Sequence, residues 1–206
     1  ITTAAISSLS LRSKKEEPTL PEPEQNFREE TTGMDQKFAG RVFQVEVHEV
    51  RLPDGRLAKR EIVRHSGGAC VVAIDDQDHV YLVRQYRKPY DTELLELPAG
   101  KLEPGEDPLD CATRELTEET GMTAQSIEWL ATVYPSPGYC SETLSIYLAT
   151  GLTYGQSNLD DGEFLSVHPY PLEEALSMVD RGDIRDAKTV VGLLRAQRVL
   201  QQRKGT

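Results

Sequence analysis

Apolar and polar positions alternate in short runs through the middle of the chain, and turn signals separate the runs. Val42, Val45 and Val47 suggest a strand; Leu52-Pro53-Asp54-Gly55 is a turn signal, and residues 58–64 can return as the second arm of a hairpin. Residues 69–74 and 80–85 read as two more strands joined by a polar turn over 75–78, followed by a short one at 94–97. Residues 127–134, 143–149 and 164–167 continue the β pattern. Helical periodicity takes over at 172–179 and again at 187–202, where Val190, Val191, Leu193, Leu194 and Leu200 form an apolar stripe.

One further helix is marked at both ends. Asp107 before Pro108 reads as an N-cap and first helical residue, and Gly121 as the stop, so the helix spans about 108–120. Leu109, Ala112, Thr113 and Leu116 fall on its expected core face, while Glu115, Glu118 and Glu119 share a neighbouring arc of roughly 100°. Strands with interspersed helices predict an α+β chain folded as an α/β/α sandwich, with a mixed β-sheet and an N-terminal β-hairpin region. No internal repeat is present.

Residues 1–36 are expected to form a disordered tail before a single domain at 37–206. The first fifteen are rich in Ser, Thr and Ala, carry Arg12, Lys14 and Lys15 and no acid, and lightly resemble the remnant of a transit peptide. A Pro/Glu-rich stretch over 16–30 follows, with little to bury.

The formal net charge of -11 leaves no broad basic face, which argues against a nucleic-acid partner. No apolar run approaches the roughly 18 residues of a membrane span. Cys70, Cys111 and Cys140 lie far apart without zinc spacing, so free thiols in a reducing compartment are expected, the cytoplasm first, with organelle import as the alternative if the tail is a transit remnant. None of the four histidines takes metal spacing, and Cys111 reads as a small helix residue rather than a nucleophile.

Three carboxylates on one arc repel one another and need an offsetting charge. A hard divalent cation with oxygen ligands supplies it, and Mg²⁺ characteristically sits between carboxylates and substrate phosphates. Arg114 can hold one carboxylate in place, and the glycine-rich loop before the helix lets backbone carbonyls approach the ion. An Glu-x-x-Glu-Glu run taken alone is more often a solvated face. The whole segment from Gly100 to Met122 changes that weighting: Gly100, Glu106, Arg114, Glu115, Leu116, Glu118, Glu119, Gly121 and Met122 match the Nudix signature at each fixed position. At average residue frequencies near 6%, the non-hydrophobic matches arise by chance with a probability below about 10⁻⁸ per start position. The chain is therefore identified as resembling the Nudix superfamily.

Flanking residues resemble the ADP-ribose pyrophosphatase branch of that superfamily: Arg60-Glu61-Ile62, Gln85-Tyr86-Arg87, Ser136-Pro137-Gly138, Glu142, the acidic run Leu159 to Glu163, and Asp186-Ala187-Lys188-Thr189. The resemblance implies hydrolysis of ADP-ribose to AMP and ribose 5-phosphate. It implies that Glu115, Glu119, Glu163 and the Ala99 carbonyl hold Mg²⁺, with Mn²⁺ as a substitute and more than one ion, supported by Glu118. Arg60, Glu61, Arg87, Ser136, Pro137, Gly138 and Glu142 would contact substrate. Asp161 would be the base, with Asp160, Glu163 and Glu142 as alternatives, because some members carry a glutamate there. It also implies a homodimer in which the partner helps bind the base, Phe43 being a stacking candidate. The competing readings are a hydrolase of another nucleoside diphosphate sugar, a GDP-sugar first, and a non-catalytic nucleotide-binding regulator.

Overall fold

In the computed structural model, residues 26–159 and 161–205 are described. Strands β1 (Glu30–Ala39), β2 (Phe43–Arg51), β3 (Leu57–His65), β4 (Gly68–Ala73), β5 (His79–Arg87), β6 (Thr92–Glu96) and β7 (Ala99–Lys101) precede helix α1 (Pro108–Thr120). After it come β8 (Met122–Val133), β9 (Leu144–Tyr154), β10 (Leu165–Pro171), α2 (Leu172–Arg181) and α3 (Ala187–Lys204).

These strands form three sheets, ordered β1-β2-β3, β10-β5-β6 and β7-β4-β9-β8. Pairing is antiparallel except between β4 and β9, which run parallel and make their sheet mixed. Strand β4 is buried along its whole length. Its alternation splits the core in two. Cys70 and Val72 face a cluster with Leu82, Leu97, Ile146, Leu176 and Leu193, while Ala69, Val71 and Ala73 face Ala112, Leu116 and Met122. Helix α1 thus covers one face of this sheet, and α3 and α2 pack on the other side, which is the expected α/β/α sandwich.

Local chemistry fixes the ends of α1. The Asp107 carboxylate accepts from the Leu109 N–H at 2.9 Å, and Gly121 takes φ 71°, a left-handed conformation that suits glycine. The buried stripe of α1 is Cys111, Ala112, Leu116 and Glu119. Leu109 and Thr113, expected on the core face, lie exposed instead. The stripe is turned toward Glu119, a position that charge alone assigns to solvent.

The hairpin forms as expected from β2 and β3, closed by a turn in which Gly55 adopts φ 87°. The expected tail, however, ends too late. Residues from Glu30 onward belong to β1, which pairs with β2 from Glu30↔Arg51 to Ala39↔Gln44. Nine of its ten positions are exposed, so β1 carries no apolar alternation to betray it; ladder hydrogen bonds define it. Residues 1–25, including the transit-peptide-like stretch, lie outside the described residues. Among the described residues no helix is long and apolar enough to cross a membrane.

Candidate active site

Strand β7 and helix α1 meet closely. The Glu119 carboxylate is 2% exposed and accepts the Ala99 N–H at 2.9 Å. Glu115 rests against Gly100, where a Cβ would stand 1.6 Å from Glu115 Oε1. Only glycine permits that approach. Arg114 ties the acidic residues together. Its Nε donates to Glu106 Oε1 at 2.9 Å, and its Nη1 donates to Glu115 Oε1 at 2.7 Å and to Glu118 Oε2 at 2.9 Å. These bonds raise the Arg114 pKa, the Glu106 bond contributing most, and hold Glu106 below the ordinary carboxylate range.

A cleft of about 760 Å³ opens in front of this group. It is lined from below by Ala99, Gly100, Glu115 and Glu118, and from the sides by Arg87, Glu142, Asp161 and Glu163. Gln85 Nε2 reaches Glu163 Oε1 at 3.5 Å. Seven of the residues expected at the site therefore share one cavity. Glu119 touches it through Ala99.

The remaining expected residues stand elsewhere in this single chain. Arg60 and Glu61 lie on β3, and Arg60 pairs with Glu29. Ser136, Pro137 and Gly138 belong to a loop pinned beside β3: Val63 N–H donates to the Tyr139 carbonyl at 2.8 Å, and Ser141 N–H donates to the Val63 carbonyl at 2.9 Å. None of the five is among the residues lining the cleft, although Pro135 and Glu142, at the ends of that loop, are. Asp160 lies outside the described residues. His65, also in the wall, has Nδ1 3.6 Å from Glu142 Oε1, and the same nitrogen accepts the Gly67 N–H at 3.0 Å.

The cleft wall also holds a charged group, centred on Glu96, that no sequence motif marks as a site. Glu96 is buried in an otherwise apolar strand end and accepts from Arg87 at 2.6 and 2.9 Å, and from Lys188. Lys188 pairs in turn with Asp186 at 3.0 Å. A charged residue inside Leu94-Leu95-Glu96-Leu97 is the available signal, since a buried charge requires partners.

Negative charge is under-compensated at the acidic floor. Burial pushes the Glu119 carboxyl up to about 8, against the Ala99 N–H, and the neighbouring Glu115 and Glu163 charges push the same way. Burial likewise raises Glu115, partly offset by Arg114, with Glu118 and Glu163 adding repulsion. Oxygen donors that resist ionisation together suit a hard divalent cation, which favours their charged forms. Among the described residues no three acidic, histidine or cysteine side chains already close on one point at ligand distance. Arg114 draws Glu115 and Glu118 toward itself, and each carboxylate keeps further lone pairs for a cation.

One buried and two half-buried carboxylates beside a glycine strand, in a cleft that an arginine also lines, suit cation-assisted chemistry on phosphates. The NUDIX domain model matches residues 64–191, and the chain belongs to that family of hydrolases, whose members generally require divalent metal ions. It is 43% identical over 169 residues to the methanol dehydrogenase activator of Bacillus methanolicus, covering 81% of this chain and 91% of that protein. It is 39% identical over 183 residues to the ADP-ribose pyrophosphatase of Bacillus subtilis, covering 87% of this chain and 99% of that protein. A solved structure described as an ADP compounds hydrolase superposes with a TM-score of 0.77 at 24% identity, over 87% of this chain and 98% of that one, and shows the same fold.

Proposed function

We propose that this enzyme hydrolyses the pyrophosphate of ADP-ribose, giving AMP and ribose 5-phosphate. The observation that carries the reading is the convergence of Glu115, Glu118 and Glu163 with Arg87 and Glu142 on one cleft, over the buried Glu119. The cleft lies within the usual size range for small-molecule sites, roughly 300–1,000 Å³. The identity to an ADP-ribose pyrophosphatase along nearly its full length supports the choice of substrate. The name of the methanol dehydrogenase activator gives a partner enzyme and no hydrolysed substrate.

In this reading Glu115, Glu119, Glu163 and the Ala99 carbonyl would hold divalent cation, Mg²⁺ or Mn²⁺, in more than one site. A divalent cation held there would supply charge neutralisation for the phosphates and activation of water. Arg114 keeps Glu115 and Glu118 aligned along the helix. Arg87 and Glu142 orient the diphosphate and its sugar, arginine suiting phosphate through its planar fork. Asp161, exposed and lining the cleft, would accept a proton from the attacking water.

Arg60, Glu61 and the Ser136–Gly138 loop serve substrate in a homodimer, where the β3 surface of one protomer borders the cleft of its partner. Exposed Met34, Phe38, Val42 and Phe43 on the β1–β2 hairpin supply apolar surface for that association. With Cys70, Cys111 and Cys140 free, the enzyme suits a reducing compartment such as the cytoplasm.

The test is AMP release from ADP-ribose with and without Mg²⁺, beside GDP-mannose, NADH and nucleoside triphosphates. Preferential cleavage of a GDP-sugar would replace the substrate assignment. Binding of nucleotides without cleavage of any would favour a regulator.

A further inference from the structure

The ion-pair group in the cleft wall is built more elaborately than helix attachment requires. Helix α3 is already fastened to the end of β6: Leu97 N–H donates to Thr189 Oγ1 at 2.9 Å, and Thr189 Oγ1 donates to Asp186 Oδ2 at 2.6 Å. Gly192 brings the helix so close to the sheet that a Cβ would stand 2.6 Å from Leu97 Cδ1. Against that background Lys188 and Glu96 add charge to a place where apolar side chains would pack at least as well. The Glu96 side chain is 3% exposed and that of Lys188 9%. Desolvation alone would depress the Lys188 pKa; Asp186 and Glu96 hold it above the usual lysine value, so the amine stays charged.

The chain of contacts runs outward to the cleft. Lys188 and Arg87 clamp the two sides of one carboxylate, with Arg87 Nε and Nη2 on separate Glu96 oxygens. That fixes the guanidinium plane, while among the described residues no acceptor is bonded to Nη1. We infer that Lys188 is a positioning residue: through Glu96 it sets Arg87 in the cleft wall as a preformed fork for the diphosphate of a nucleoside diphosphate ligand. The inference rests on the hydrolase reading for its substrate, not for its geometry. Pre-setting a long side chain removes rotamer freedom before the ligand arrives, so its effect belongs in binding rather than in the chemical step. Lys188 does not itself contact the phosphates.

The experiment compares Lys188→Met, Lys188→Arg and the paired Glu96→Gln/Lys188→Met with wild type. Removing one partner strands the other, so the paired variant secures a folded protein. Steady-state kinetics on ADP-ribose with Mg²⁺ is accompanied by calorimetric titration of ADP in EDTA. Lys188→Met and the paired variant should raise KM, and weaken ADP binding, about tenfold, with kcat within about threefold; Lys188→Arg should recover most of the loss. In an Arg87→Ala background Lys188→Met should add nothing, because its effect passes through that arginine. A loss of kcat at unchanged KM in the folded paired variant would mark a merely structural role and overturn the inference. Additive losses in the Arg87→Ala background would overturn it too. Titrating ADP keeps the comparison valid for a chain that leaves ADP-ribose uncut, a result that would count against the substrate assignment alone.

Discussion

Glu119→Gln separates what the fold tolerates from what the chemistry needs. Glu119 is 2% exposed, and its only hydrogen bond among the described residues comes from the Ala99 N–H, which a glutamine oxygen can also accept. Its carboxyl is pushed up to about 8 from an ordinary 4.5. The folded chain therefore holds this proton more tightly than the unfolded chain. The resulting stability is fully present below pH 4.5 and is lost as pH rises through 8. At 1.36 kcal/mol per pH unit, neutral pH lies about 2.5 units above the unfolded value, so keeping a carboxyl here costs the metal-free protein about 3 kcal/mol at pH 7. Glutamine never ionises and escapes that cost. In EDTA, urea denaturation should find Glu119→Gln about 3 kcal/mol more stable than wild type at pH 7 and equal to it near pH 4.5. With Mg²⁺ present, wild type should regain stability and the variant should not. Turnover should fall at least about a hundredfold, the upper end of the loss when even a supporting group of a metal site is removed. A variant no more stable than wild type in EDTA, and still active, would refute both the burial argument and the placement of Glu119 at the metal.

Gly100→Ala places a methyl 1.6 Å from Glu115 Oε1 and must displace that carboxylate; circular dichroism should stay unchanged while kcat/KM drops about a hundredfold. Asp107→Ala removes the N-cap of α1, which should cost about 1 kcal/mol and lower the melting temperature by about 2–4 °C in calorimetry. Met34→Glu with Phe43→Glu puts charge on the exposed hairpin; light scattering should then report a monomer with impaired ADP-ribose binding, and an unchanged wild-type-like dimer would remove this face from the association.

The helix of the site was legible because its ends are written in side chains that act locally: Asp107 caps it, Pro108 starts it and Gly121 reverses the backbone after it. Strand β4 and the hairpin were legible for a similar reason, since runs such as Cys70-Val71-Val72 and the turn at Gly55 carry their own preference. Strand β1 was not, because its stabilisation lies in backbone pairing with β2 rather than in buried side chains. Hydrophobic periodicity misplaces the core face of α1 at Leu109 and Thr113 because a glutamate occupies its buried stripe, and the pattern has no symbol for a charged core position. The Glu96–Lys188 pair joins residues 92 positions apart, a separation that only the completed fold closes.

The parallel pairing of β4 with β9 has a consequence for how the enzyme comes into being. Neighbours in that sheet are separated by the whole α1 segment, and the cleft draws its wall from Val42 at one extreme to Lys188 at the other. A nascent chain still lacking α3 would own the acidic helix but no enclosure for it. Such topology slows folding, because distant segments must find each other before burial rewards them. It also makes activity all-or-none: a ribosome-bound intermediate or a proteolytic remnant should be inert toward nucleotides, and cells would meet the catalyst only once it is whole.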